Sequence, residues 1–300
     1  MSDPVRDIRV AVCIPTYDRP EGLRRALTAL ASQDIGEPIL VVVANNRPGD
    51  QRVAEVVEAC RCSLDIHLID VTIRGVSAVR NAAVAAALAL CPALEWLAFQ
   101  DDDEIAAPGW LAVLREAGRQ WNADLVGGAV TVRDESGALV AGYGDNYRKP
   151  EDGPVAQLAG TNNLMIRATF LRQLGREPFR PDYGASGGED YEFFRFSRAL
   201  AARMVWTNGA LIEEVWPADR IRLPALMRRE RRKGMYMVRA DIEYDGQLAA
   251  AWATLRAGLS LIRVRGSSLG QIRAVVLMKL WCVAGRVAGH VGFRSGGYAA

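Results

Sequence analysis

Four consecutive acidic residues, Asp101, Asp102, Asp103 and Glu104, follow an apolar stretch that ends in Phe99 and Gln100. Carboxylates have ordinary pKa values near ~4, so all four are ionised at neutral pH and repel one another unless something positive sits among them. A hard divalent cation relieves that repulsion and prefers oxygen ligands. Mg²⁺ and Mn²⁺ take one or two carboxylates and complete the shell with substrate phosphates and water. A solvated acidic turn is the plainer alternative. A second carboxylate pair, Glu189-Asp190, follows Gly187-Gly188 at the start of a helical stretch. One carboxylate within reach of a hydroxyl proton suffices as a general base. The same pair could also do no more than complement the positive end of a helix.

Other chemistries find little material. There are two histidines, His67 and His290, and five cysteines without a CxxC pair. A histidine-centred triad, a zinc site or a disulfide scaffold is therefore not expected, and a reducing, cytoplasmic compartment fits. Neither a G-x-G-x-x-G loop nor a P-loop occurs. The first residues do not read as a basic, apolar signal peptide, so none is expected.

The elements that must hold these carboxylates are legible in the first hundred residues. Residues 8–14 are β-branched and apolar, and 39–44, 66–70 and 95–100 are likewise short and largely apolar. Between them lie helical patterns at 21–33, 51–60 and 76–90. Continuous apolar strands alternating with helices predict a parallel α/β sheet, and such sheets bind ligands at the carboxyl ends of their strands. The acidic run sits at one such end. Residues 82–99 are nearly all apolar, but Pro92 and Glu95 interrupt them, so a buried helix followed by a buried strand is expected, not a membrane span. Residues 124–132 read as a strand, 134–160 as irregular, and 191–203 as a helix. From about 222 onward the pattern is helical, with breaks at Gly266–Gly270 and after Gly289.

FQDDDEIAAPGWL, residues 99–111, resembles the DXD segment of family-2 glycosyltransferases of the GT-A fold. Other segments match in the expected order: CIPTYDRPEGLRRALTALASQ (13–33), RGVSAVRNAAVAAAL (74–88), DLVGGAV (124–130), TNNLMIR (161–167), GGEDYEFFRFSR (187–198) and EEVWPADRIRLPALMRRERRKG (213–234). Each motif alone is weak; the ordered set is specific. The subgroup it resembles assembles bacterial exopolysaccharides of the succinoglycan type.

The resemblance implies a GT-A-like, mostly parallel central sheet flanked by helices. A catalytic domain would span residues 1–235, divided near 105 into nucleotide-sugar and acceptor halves, with a helical extension over 236–300. It implies transfer of a hexose from a nucleotide sugar, expected to be UDP-linked, to a saccharide acceptor with inversion. Nucleotidyl transfer, or carbohydrate binding without catalysis, is the alternative. Pro15, Thr16, Tyr17, Arg19, Arg80, Asp101 and Asp102 would bind the donor. Asn45 stands where the family usually has the Asp that reads the base; an amide keeps an acceptor and adds donors. Asp103, with Asp101, would hold Mn²⁺ or Mg²⁺. Asp190 would be the general base and Glu189 its neighbour in the catalytic pair. Asn162, Asn163 and Gly188 would line the acceptor side.

Charge divides the chain unevenly. Residues 1–216 carry 22 Lys and Arg against 30 Asp and Glu, and residues 217–300 carry 15 against 5. A basic tail on an acidic body points to an anionic partner: a membrane, a pyrophosphate-linked substrate or a nucleic acid. No nucleic-acid recognition motif accompanies it, so no nucleic acid is expected. Residues 271–289 are largely apolar, with Lys279 and Arg286 on one helical face. Such a helix suits peripheral contact with the inner face of an anionic membrane, and a lipid-linked acceptor would lie there. Packing on the catalytic body or on a second copy is the alternative.

Overall fold

The computed structural model describes residues 6–140, 143, 150–184, 187–264 and 269–292. In chain order the first half runs β1 (Val10–Thr16), α1 (Pro20–Ala31), β2 (Ile39–Asn45), α2 (Gln51–Cys60), β3 (Asp65–Asp70), α3 (Val76–Leu90), β4 (Trp96–Gln100), β5 (Glu104–Ala106) and α4 (Trp110–Gln120). The second half runs β6 (Leu125–Asp134), β7 (Gly153–Pro154), β8 (Asn163–Arg167), α5 (Ala168–Gln173), α6 (Pro181–Gly184), α7 (Glu189–Ala199), β9 (Met204–Trp216), α8 (Ala218–Ile221), α9 (Leu223–Asp245), α10 (Gln247–Leu259), a 3₁₀ turn (Ser260–Arg263) and α11 (Leu269–His290).

Eight strands form one path in the order β3-β2-β1-β4-β8-β6-β9-β5, with β7 paired to β9. The strands β3, β2, β1 and β4 are mutually parallel. β8 runs antiparallel to both β4 and β6, and β9 runs parallel to β6. The sheet is thus parallel where apolar runs alternate with helices and mixed beyond. β1 is followed by β2 and β3 on one side and flanked by β4 on the other. Strand order reverses there, which opens a crevice at the carboxyl ends of β1 and β4.

The sheet is buried on both faces, which explains strands that are apolar without alternation. Val10, Val12 and Ile14 point into one core with α1, α2 and α4; Ala11 and Cys13 point into the other with α3, α5 and α7. In α1, Leu23, Ala26, Leu27 and Leu30 make the buried stripe at helical spacing. The apolar run 82–99 is the end of α3 and all but the last residue of β4, and no helix among the described residues is long and apolar enough to cross a membrane.

α9 runs unbroken through residue 235 and crosses α11 at very close range. A Cβ on Gly234 would strike the Cys282 carbonyl, and one on Gly285 would strike that of Arg231. The cationic face expected on α11 is not free. Arg286 is buried and donates to Asp241 at 2.6 Å, while Lys279 donates to Ser260. A charge on that face is held inside the helical layer because Asp241 of α9 supplies its partner.

Candidate active site

The carboxyl end of β1 supplies Pro15, Thr16, Tyr17 and Arg19; that of β4 supplies Asp101, Asp102 and Asp103. Together with Asn46, Val76, Val79, Arg80 and Arg220 they line a cleft of about 330 Å³. α1 starts with Pro20 and presses against the acidic loop. A Cβ on Gly22 would lie 2.5 Å from the Asp102 carbonyl oxygen, so this position must be glycine for the helix to approach so near.

The acidic residues divide their work. Asp102 is buried, accepts from Thr16 Oγ1 at 2.7 Å and from Arg19 Nη1 at 3.1 Å, and so ties β1 to the loop after β4. Burial pushes its pKa up to about 6, against the pull of Arg19 and Thr16. Asp103 reaches the cleft and receives two guanidiniums on the same oxygen, Oδ2: Arg19 at 2.7 Å and Arg220 at 3.3 Å. Asp101, about a third exposed, pairs with Arg80 at 3.2 Å. Glu104 is turned inward, where it accepts from the Asp101 amide at 2.9 Å and from Asn162 at 2.5 Å, and burial raises its pKa well above the usual carboxylate range. The sequence motif is thus two carboxylates facing the cleft and two that brace it.

A larger cleft of about 610 Å³ adjoins the first, and Arg80, Asp101 and Arg220 line both. Its other walls include Asn162, Gly188, Glu189, Asp190 and the α9 residues Arg228, Arg229, Arg232 and Lys233. Arg80, nearly fully buried on α3, gives one guanidinium nitrogen to Glu189 at 2.8 Å and another to Asp101. Residues 80, 101 and 189 therefore meet at one point. Asp190 accepts from the Tyr191 amide at 2.6 Å. Burial raises the pKa of both Glu189 and Asp190, opposed by the Arg80 charge. Gly188 adopts φ +94°, and a Cβ there would collide with the Tyr236 ring of α9. The glycine is required twice, by backbone conformation and by the close passage of α9.

These features match a known family. A model described as glycosyl transferase family 2 matches residues 11–179. The chain belongs to glycosyl transferase family 2. As a member of this family it is a glycosyltransferase. The chain is 29% identical over 267 residues to the succinoglycan biosynthesis protein ExoM of Rhizobium meliloti, covering 86% of this chain and 82% of that one. It is 28% identical over 186 residues to the glycosyltransferase AglE of Haloferax volcanii, covering 60% and 58%. Among solved structures, the mannosyltransferase PcManGT of Pyrobaculum calidifontis, in complex with GDP-Man and Mn²⁺, superposes with a TM-score of 0.59 at 17% identity, over 96% of this chain and 88% of that one. S. aureus TarS 1–349 in complex with UDP gives 0.56 at 15% identity, over 95% and 90%. The chain spans 55% of a longer TarS chain. The GT-A architecture expected from the sequence is thereby established.

Two residues expected at the site lie apart from the clefts. Asn45 is buried and fully engaged: it donates to the Arg47 carbonyl at 2.7 Å and to Asp70 at 2.8 Å, and accepts from the Arg47 amide at 3.0 Å. Its neighbour Asn46 lines the smaller cleft and also accepts from the Gly75 amide, which fixes the start of α3. Asn163 points into the sheet, where it accepts from Trp110 Nε1 at 2.8 Å and donates to the Ala129 and Ala210 carbonyls at 2.9 Å each. Three residues carry roles that the sequence did not suggest. Arg220 bridges Asp103 and Glu214 at the junction of the clefts and stacks over Trp216. Glu214 is mostly buried, which raises its pKa, with Arg220 opposing. Tyr236 covers Gly188. A lone arginine on a four-residue helix leaves no local pattern from which this could be read.

Proposed function

We propose that the protein transfers a hexose from a UDP-linked donor to a lipid-linked saccharide acceptor with inversion at the anomeric carbon. The observation that carries this reading is the position of Arg80, ion-paired to Asp101 in the smaller cleft and to Glu189 in the larger. A donor diphosphate in the first cleft and an acceptor hydroxyl in the second would meet beside that guanidinium. The printed descriptions of relatives support the reading: succinoglycan biosynthesis for ExoM, and complexes with UDP and UDP-GlcNAc for TarS.

In the larger cleft Asp190 accepts the proton of the acceptor hydroxyl as that oxygen bonds to the anomeric carbon and the nucleoside diphosphate leaves. Its raised pKa makes it a stronger base than an ordinary carboxylate. Glu189, held by Arg80, keeps the start of α7 in place. One base without a second nucleophilic carboxylate fits a single displacement. Arg80 and Arg220 face the developing diphosphate charge from fixed positions, which costs no reorganisation at the moment of reaction.

The donor set fits Mn²⁺ or Mg²⁺. Both guanidiniums on Asp103 take Oδ2, which leaves Oδ1 for a cation, and Asp101 adds a second carboxylate. Among the described residues no three acidic, His or Cys side chains gather to hold an ion alone. An ion here would therefore rely on the donor phosphates to complete its shell, as these metals commonly do. When bound it would supply Lewis-acid neutralisation of the leaving diphosphate.

Four cations on α9, Arg228, Arg229, Arg232 and Lys233, line the larger cleft. They suit an acceptor that carries phosphate between saccharide and lipid. A screen of UDP-hexoses and GDP-mannose, read by nucleotide release with Mn²⁺ or Mg²⁺, tests the proposal. Metal-dependent release from a UDP-hexose is expected. Equal release in the presence of a chelator would reject the metal site, and release confined to GDP-mannose would reject the UDP assignment.

A further inference from the structure

Helix α10 buries little of itself. Ala250 is buried, and Thr254 pins the inner side to α11 by accepting from Arg286 Nε at 3.1 Å. The outer side presents Leu248, Trp252, Leu255 and Leu259, all exposed, and Ile262 of the following 3₁₀ turn continues the row. Leu248 is 89% exposed and Ile262 82%, so neither is covered by the described residues. Spacings of four, three, four and three residues put the row on one narrow face. Large apolar side chains in such a row are not the scattered exposed hydrophobics of an ordinary surface.

The segment that carries the row has charge of one sign. Residues 246–300 contain seven Lys and Arg and no Asp or Glu. Arg256 stands exposed on α10 itself. Of the seven, Arg286 is neutralised internally by Asp241. An apolar row with a tryptophan, set in a segment of purely positive charge, is complementary to a surface that is apolar beneath and negative above. A second copy of the chain would bring this cationic segment against itself. A coiled-coil partner would need three or more heptads, and α10 has 13 residues.

We infer that the α10 face is a membrane-docking surface that inserts Leu248, Trp252, Leu255, Leu259 and Ile262 into the interface of a bilayer containing anionic lipid. This places the contact on α10, not on the Lys279–Arg286 face of α11. The surface would hold the protein where a lipid-carried acceptor lies, but the inference rests on α10 and its charge and not on the transfer reaction.

Co-sedimentation of the full chain with vesicles tests it, without donor or acceptor. Vesicles of phosphatidylcholine mixed with phosphatidylglycerol should pellet the protein, and phosphatidylcholine alone should pellet it about tenfold less, an effect of basic residues near an anionic surface that high salt removes. The double variant Leu255→Glu/Leu259→Glu should lose pelleting while its thermal midpoint and far-UV circular dichroism stay as in the wild type. Both positions lie on the exposed side of α10, so an unchanged midpoint and spectrum show that the fold survives. Wild-type protein left in the supernatant with anionic vesicles would overturn the inference. So would a double variant that still pellets, or a wild-type dimer in light scattering that this variant converts to monomer. Because no sugar transfer is measured, these failures would leave the proposed reaction standing.

Discussion

The smaller cleft is made by loops that leave neighbouring parallel strands. The larger cleft is assembled from pieces far apart in the chain: the turn before β8, the start of α7 and one side of α9. The contrast shows in how each is held. In the smaller cleft, Thr16, Arg19 and Asp102 lock β1 to β4 across strands already in register. In the larger, α9 is positioned by contacts remote from the chemistry, including its glycine-mediated crossing with α11 and the Tyr236 ring over Gly188. On the proposed reading, the donor side is held by bonds between neighbouring strands and the acceptor side by packing remote from the cleft.

The comparison can be broken first at Asp190. Asp190→Asn should lower transfer by roughly 10²–10⁴-fold, the range for a general base, with nucleotide binding unchanged. The pH profile sharpens the same point. Burial raises the Asp190 pKa, so the carboxylate protonates and transfer falls as pH drops through a midpoint above the ordinary value near ~4. A midpoint at or below that value would remove Asp190 from the role. Asp103→Ala acts on the other cleft and should cost roughly 10²–10³-fold through lost stabilisation of the leaving group, with metal response abolished. Gly188→Ala should cost about 1–3 kcal/mol, read as a lower urea midpoint, because it strains the backbone and displaces Tyr236. Arg228→Ala should be mildest. It is exposed, so its loss should raise acceptor KM roughly two- to fivefold, the worth of a solvent-screened charge contact, and leave donor KM alone.

The same division decides what could be read from the sequence. The four apolar runs 8–14, 39–44, 66–70 and 95–100 correspond to β1 to β4 within two residues at either end, because strands buried on both faces advertise themselves by composition. Strand β9, which spans Met204–Trp216, gave no such signal. Asn208-Gly209 reads as a turn in its middle, and the structure has an irregularity there, where pairing with β6 shifts between Gly128 and Ala129 and jumps from Thr207 to Leu211. The directions of β6, β8 and β9 follow from long-range pairing and leave no periodicity to detect. At the site, the acidic run and the Glu-Asp pair were visible because carboxylates cluster in sequence. Their junction through Arg80 was visible only in part, and Arg220 not at all, since its partners Asp103 and Glu214 lie on other elements. Asn45 and Asn163 show the converse: polar residues at strand ends whose side chains are engaged within the fold.

The most direct test of two clefts joined at Arg80 is calorimetric titration of UDP with Mn²⁺ into wild-type, Asp103→Asn and Asp190→Asn protein. Nucleotide binding should be weakened in Asp103→Asn and retained at wild-type affinity in Asp190→Asn. Loss of nucleotide binding in Asp190→Asn, with Asp103→Asn unaffected, would put the donor in the larger cleft and contradict the account.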